Sequence, residues 1–301
     1  MDSPISISFS VSDNYSQHLA VVLTSVLVNN PSSRFVFHVL HRNITEANQA
    51  RIRELEQSYP NCEIKFHLID ASQFEKFPIP PELEHVTQET YYRYILPNVL
   101  ADEDRTIYSD VDVLCVGDLR PLWETDLKGN LLAAVLDDKT GWKRSRLGMD
   151  KGDYYCAGLL VMDLSAMRQG DYTSKLFETT NKYAGRIAWP DQDVINIVFD
   201  GKILTLPEIW NCASKYNPFR RDVRQWHFQG FTLKPWCNIW KNTTWPAYLK
   251  YLLKSPYHSH AAQFVWGHIK GFFYFKYTKK QVTRRLVCGI LVWKSKVDAR
   301  R

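Results

Sequence analysis

The sequence predicts an α/β domain with a largely parallel sheet, on three observations. Runs at 5–11, 34–41 (RFVFHVLH) and 62–69 (CEIKFHLI) are rich in β-branched and aromatic residues and read as strands. Segments near 16–29 and 45–58 between them read as helices. Their alternation is the pattern of crossover connections, which set strands parallel and place ligands at the strands' carboxyl ends.

The first strand lies in MDSPISISFSVSDNY, where Ile5, Ile7, Phe9 and Val11 alternate with other residues. No basic segment precedes it, so it reads as a strand and not a signal peptide, and the expected location is the cytoplasm. SDNY (12–15) follows directly, where short polar side chains can meet a nucleotide. QETYYRYILPNVL (88–100) reads as a helix interrupted or ended near Pro97, leading into a strand over RTIYSDVDVLCVGDL (105–119). Further strands are predicted at 131–137 and 154–163. A helix begins near PDQDVINIVF (190–199), where Asp191 and Asp193 fall in a first turn whose dipole favours acidic side chains.

Two carboxylates interrupt the apolar run at 105–119. In an extended chain Asp110 and Asp112 project from one face, about 7 Å apart. At roughly 6 Å and an effective dielectric near 20 they repel by about 3 kcal/mol. A divalent cation would turn the pair into ligands; emergence of the strand into water would also relieve it. D-x-D occurs three times in the chain, so the triplet alone specifies little. WHFQGFTLKPW (226–236) adds His227 as a third ligand, Gly230 for close backbone approach and Lys234 as a point charge for phosphate. Taken alone, that stretch also reads as an aromatic-rich turn. Imidazole with carboxylates suits Mn²⁺ better than Mg²⁺.

Charge and cysteine usage narrow the function. Lys270 to Arg301 holds ten Lys/Arg and one Asp, net +9, which leaves −3 of the formal +6 for residues 1–269. That balance weakens a nucleic-acid reading of the main domain, which would need a broad positive face. The six cysteines show no C-x-x-C spacing, which argues for reduced thiols over zinc or a disulfide framework. No G-x-x-x-x-G-K-[ST] occurs, which disfavours a P-loop NTPase.

Residues 276–301 combine Lys276, Lys279, Lys280, Arg284, Arg285, Lys294 and Lys296 with Val282, Leu286, Ile290, Trp293 and Val297. The apolar spacing of four, four, three and four predicts one face of a basic amphipathic helix, docked on anionic lipid or packed on the domain. The run LVCGILVW (286–293) is too short to span a bilayer.

Together these motifs resemble glycosyltransferase family 8, above all its bacterial lipooligosaccharide and lipopolysaccharide galactosyl- and glucosyltransferases. SDNY, TYYRYILPNVL, YSDVDVLCVGDLRPLWETDL, GWKRSRLGMDKGDYYCAGLLVMDL, PDQDVIN and HFQGFTLKPW occur in the family's order from about residue 5 to 240. The resemblance implies a GT-A fold, here a catalytic domain over 1–250, and the charge and spacing of the tail add a helical, basic membrane-docking segment over 251–301. It implies a UDP-galactose or UDP-glucose donor, Mn²⁺ with Mg²⁺ as the alternative, and a lipid-linked core oligosaccharide acceptor at the inner face of the inner membrane.

Carried over by position, Asp110, Asp112 and His227 look like metal ligands. Ser12, Asn14 and Tyr15 would meet the uridine, and Gly230 and Lys234 the diphosphate. Arg93, Asp110, Asp191 and Gln192 would hold the donor sugar, with the backbone around Ala157 and Gly158. His85 and Asp137 lie where family members contact the acceptor. The family retains anomeric configuration. Gln192, an amide, stands where double displacement would need a carboxylate, so a front-face route is expected, with Asp191 holding sugar hydroxyls. The chain departs from the family pattern at Ser12, which replaces Asp, and at Cys156, which replaces Asn. One extra residue also separates Gly230 from Lys234. A catalytically silent sugar-nucleotide or glycan-binding module and a metal-dependent phosphoesterase are the alternatives.

Overall fold

A computed structural model describes residues 3–81, 83, 86–213, 220–230, 234–237, 243–279, 282–287 and 290–296. The strands are β1 (Ile5–Ser10), β2 (Phe35–His41), β3 (Cys62–Leu68), β4 (Arg105–Ser109), β5 (Val113–Cys115), β6 (Leu132–Leu136), β7 (Tyr155–Asp163), β8 (Ile203–Leu206) and β9 (Gln225–His227). The helices are α1 (Ser16–Asn29), α2 (Glu46–Ser58), α3 (Leu96–Val99), α4 (Arg120–Trp123), α5 (Trp142–Leu147), α6 (Leu164–Gln169), α7 (Tyr172–Tyr183), α8 (Pro190–Val198), α9 (Trp245–Leu252) and α10 (Ala261–Phe273).

Seven strands make the central sheet in the order β3-β2-β1-β4-β7-β6-β8. The β3-β2-β1-β4 half is parallel, as the alternation predicts. β7 then runs antiparallel to both β4 and β6, and β8 closes the far edge parallel to β6. Ile5, Ile7 and Phe9 of β1 pack with Leu19, Leu23 and Leu27 of α1 in one core. Tyr108 of β4 and Leu160 and Met162 of β7 belong to a second, with Tyr91, Tyr94 and Val194. The β7 strand is buried almost throughout because both cores cover it.

Three sequence expectations change. Residues 105–119 do not form one strand. β4 stops at Ser109, the chain turns at 110–112, and β5 leaves the sheet to pair antiparallel with β9. Two carboxylates would be costly between the cores, and the turn carries them out of the ladder. The segment at 88–100 is a 3-10 helix over Gln88–Ile95 followed by α3, with Pro97 in the first turn of α3 and not at a helix end. Proline lacks an N–H that the first turn does not use.

The third change is at the C-terminus. Helices α9 and α10 are present, but residues 274–296 form an antiparallel sheet in place of an amphipathic helix. Its strands are β10 (Tyr274–Lys279), β11 (Val282–Val287) and β12 (Ile290–Lys296), with β11 central. β-branched and aromatic residues dominate this stretch, and Gly289 weakens any continuous helix. Val297 lies outside the described residues. Among the described residues no helix is long and apolar enough to cross a membrane.

Candidate metal and donor site

The turn after β4 is fixed at both ends. Asp110 N–H donates to Gly158 O on β7 at 2.9 Å, and Val113 N–H donates to Asp110 O at 3.2 Å. β5 then lies against β9 with Val113 opposite His227, and Phe228 N–H donates to Asp112 O at 3.0 Å. Asp110, Asp112 and His227 are thereby brought together, each offering one ligand atom, all within 4.8 Å of one another. Asp112 and His227 are buried, while the Asp110 side chain is 31% exposed and opens the cluster outward.

His227 is held by two edges. Its Nε2 lies 3.4 Å from Asp112 Oδ1, and its Nδ1 lies 2.8 Å from Asn211 Oδ1. An Nδ1–H donated to Asn211 leaves Nε2 as the nitrogen that faces the carboxylates, a second-layer contact that orients a ligating ring. Cys156 Sγ also stands 3.6 Å from Nδ1 and 3.0 Å from Gln229 Nε2, so the thiol sits against the imidazole. A Cβ on Gly158 would approach His227 Cε1 to 2.2 Å and Asp110 Oδ2 to 3.0 Å, so only glycine leaves this cradle open. Two hard carboxylate oxygens with one borderline imidazole nitrogen fit a divalent cation.

Without a cation the cluster is balanced by its own charges. Burial alone would raise the Asp112 carboxyl, but Lys234, whose Nζ contacts Asp112 Oδ2, and His227 outweigh it and hold it well below the carboxylate range. Burial would lower His227, yet Asp112 raises it to about 10. Asp110 moves the other way: burial outweighs the Arg93 guanidinium, and the Asp112 charge adds to the rise.

Beside this cluster a buried guanidinium ties three elements. Arg93 Nη2 lies 2.9 Å from Asp110 Oδ1, Nη1 lies 2.8 Å from Asp191 Oδ2 and 2.6 Å from Ala157 O, and Nε donates to Thr90 O at 3.0 Å. Thr90 Oγ1 donates to the other Asp191 oxygen at 2.7 Å, so both oxygens of Asp191 are engaged. Gln192, next along the first turn of α8, is oriented just as firmly. Its Oε1 accepts from Ala157 N–H at 3.0 Å; its Nε2 donates to Asp137 Oδ2 at 3.0 Å and Tyr154 Oη at 3.2 Å. Lys143 Nζ caps the same Asp137 oxygen. Asp193 belongs to the scaffold: it accepts from Arg146, Tyr154, Ala188 N–H and Trp189 N–H in the core.

On the other side of the cluster, Ser12 Oγ donates to Asn14 Oδ1 at 2.6 Å. Tyr15 stands edge-on to Trp236 with ring centres 6.0 Å apart, and His18 stacks on the same indole at 3.7 Å. Asp13, the remaining member of SDNY, turns away to accept from Thr45 and Asn48 at the start of α2. Gly230 adopts φ +74°, a conformation that glycine takes without strain. His85 lies outside the described residues. Asn211, Tyr154 and Lys143 escape sequence reasoning because their partners are remote along the chain; a lone Asn after IW gives no signal.

Comparison with known proteins follows the same lines. Residues 6–240 match the family described as glycosyl transferase family 8. A Haemophilus influenzae protein whose name describes a glycosyltransferase is 28% identical over 73% of this chain, which covers 65% of that relative's length. The lipopolysaccharide 1,3-galactosyltransferase of Salmonella typhimurium is 26% identical over 76% of the chain and 72% of its own. The crystal structure of the galactosyltransferase LgtC with donor and acceptor sugar analogs superposes with a TM-score of 0.70 at 28% identity, covering 88% of this chain and 96% of LgtC.

Proposed function

Because the chain belongs to glycosyl transferase family 8, we propose that it moves galactose or glucose from a UDP-sugar to a lipid-linked lipopolysaccharide or lipooligosaccharide core sugar. The transfer retains anomeric configuration and uses Mn²⁺ in preference to Mg²⁺. The observation that carries this reading is the meeting of Asp110, Asp112 and His227 directly beside the Arg93–Asp191 pair. That complete ligand set supports an enzyme over a silent binding module.

Asp110, Asp112 and His227 would hold the cation, which as a Lewis acid stabilises charge developing on the departing diphosphate. Lys234 stands on Asp112 and would give its charge to the same phosphates, with Gly230 allowing close backbone approach. Ser12, Asn14 and Tyr15 would take the uridine. Arg93, Asp191 and the backbone at Ala157 and Gly158 would seat the sugar.

Gln192 would face the anomeric carbon. Its amide is a feeble nucleophile, and both oxygens of Asp191 are occupied by Thr90 and Arg93. Both facts support a front-face reaction, in which the leaving phosphate takes the acceptor proton and the Gln192 oxygen stabilises the oxocarbenium-like centre. Asp137, bonded to Gln192 Nε2, would orient the acceptor hydroxyl together with His85. The chain would work at the cytoplasmic face of the inner membrane, held there peripherally by its basic C-terminal segment.

The deciding experiment is a panel of UDP-sugars incubated with Mn²⁺, with release of UDP as the readout. One UDP-hexose should be hydrolysed slowly, and transferred when a truncated core oligosaccharide is added. Hydrolysis of simple phosphate esters with no UDP-sugar turnover would replace the proposal with a phosphoesterase. Turnover of neither would leave a binding module.

A further inference from the structure

One side chain beside the metal cluster has hydrogen-bonding capacity that the protein leaves largely unused. β9 ends at His227, and two residues on, Gln229 is half-buried between Phe228, whose N–H donates to Asp112 O at 3.0 Å, and Gly230. Its amide crosses to the start of β7, where Nε2 lies 3.0 Å from Cys156 Sγ and 3.2 Å from His227 Nδ1. Neither is a strong acceptor. A thiol sulfur accepts weakly, and an Nδ1 whose proton goes to Asn211 at 2.8 Å has no lone pair left for a second donor. The amide oxygen takes no bond among the described residues.

That amide lies against the stretch of backbone that seats the sugar in the proposed transfer. Cys156, Ala157 and Gly158 are consecutive near the start of β7. Ala157 N–H donates to Gln192 Oε1 at 3.0 Å, Ala157 O accepts from Arg93, and Gly158 N–H lies 3.5 Å from Cys156 Sγ. Gln192 and Gln229 therefore converge on adjacent residues of one strand from two different elements, α8 and the end of β9. Each hexose hydroxyl is both donor and acceptor, and a primary amide offers both complements. The Cys156 thiol, buried and weak in both roles, does not. Position 156 thus brings little polarity to this point of the site, and residue 229 brings an amide.

We propose that Gln229 is a specificity residue for the donor: its amide hydrogen-bonds a ring hydroxyl of the hexose seated against Ala157 and Gly158, exchanging its weak contact with the Cys156 thiol for that hydroxyl. The identity of the sugar is then read from two sides, by Arg93 and Asp191 on one and by a residue of the β9 end on the other. The proposal rests on the reading of the donor as a UDP-hexose but not on transfer taking place, so binding tests it and turnover tests that reading.

Calorimetry with Mn²⁺ measures the affinity of the full chain for UDP, for UDP-galactose and UDP-glucose, and for the tighter of these with single hydroxyls replaced by hydrogen. Gln229→Ala should weaken UDP-hexose binding about tenfold, the scale of one lost hydrogen bond, and leave the affinities for UDP and Mn²⁺ unchanged. One deoxy donor should bind the parent about tenfold more weakly than its complete counterpart, because the amide is then left unpaired, and should lose nothing further in Gln229→Ala. Gln229→Met keeps the length of the side chain without its amide and decides the matter if the alanine variant does not fold. Equal UDP-hexose affinity in parent and variants, or losses from the variant and from every deoxy donor that simply add, overturns the proposal. A matching loss of UDP or Mn²⁺ affinity overturns it too, and makes Gln229 a support for His227. Gln229-dependent binding without turnover upholds the proposal while removing the transfer; no binding of either UDP-hexose removes both.

Discussion

Arg93 and Asp191 form a 2.8 Å ion pair in which the guanidinium is only 4% exposed, and the same guanidinium lies 4.0 Å over the Tyr108 ring. Its planar fork meets two carboxylates and two carbonyls at once. A lysine ammonium, a single point charge, cannot reproduce this geometry. Arg93→Lys should therefore lower kcat/KM for UDP-sugar hydrolysis about a hundredfold or more, and broken buried pairs of this kind cost about 3–5 kcal/mol. Hydrolysis kinetics and calorimetry check it; parent-like values for both would show the bridge to be incidental.

Gly158 backs directly onto His227, and an added methyl group has no room. In Gly158→Ala the imidazole must swing away, and the expected result is a 10- to 100-fold loss of Mn²⁺ affinity, the usual scale for a misoriented ligand. Calorimetric titration measures the affinity and circular dichroism confirms the fold. Unchanged affinity in a folded variant would place the cation elsewhere.

Asp112→Asn should abolish metal-dependent hydrolysis while the sheet remains intact by circular dichroism. It also removes the anion that raises His227 to about 10. In the metal-free parent that raised value contributes stability fully below the unfolded pKa near 6.5, and the contribution is lost as pH rises from there to 10. Chelator-treated parent should therefore soften toward alkaline pH in denaturant titrations, whereas Asp112→Asn should lack this slope. Retained Mn²⁺-dependent turnover in Asp112→Asn would count decisively against the site.

His38 gives the opposite sign in acid. It is 2% exposed on β2, with Nδ1 3.0 Å from His67 Nε2, and burial followed by the charges of His67 and Lys65 pushes it down to about 3. The folded state keeps it neutral, so stability is full above pH 6.5 and falls on acidification, by about 1.4 kcal/mol per pH unit once below that value. Comparing denaturation midpoints at pH 7 and 5 for the parent and His38→Gln should show a flatter response in the variant; parallel responses would assign the acid lability to other groups.

Much of this was legible in the sequence because period and punctuation agreed. Alternating apolar residues marked β1 to β3, and Pro190 with the acidic turn after it marked α8. The turn at 110–112 was not legible, since it contains neither Gly nor Pro and lies between the strand-forming runs TIY and VLCV. The C-terminal strands misled for a geometric reason: Val282 and Leu286 are four apart, a spacing that shares one face in a helix and in a strand alike. Of the site, Asp110, Asp112 and His227 were visible through their chemistry and their motifs. Asn211, Tyr154 and Lys143 were not, because pairing across the fold alone makes them neighbours.

The β5–β9 ribbon has a consequence for biogenesis. Asp112 and His227 meet only when β9 pairs with β5, a closure between segments remote along the chain. Closing so long a loop comes after local structure has formed. An ion held there as proposed would therefore be expected to lock the closed ribbon and not to nucleate it. Manganese present during refolding should leave the rate of recovery untouched and slow only the reverse reaction, so a cell starved of the metal would accumulate folded, idle enzyme and not aggregates.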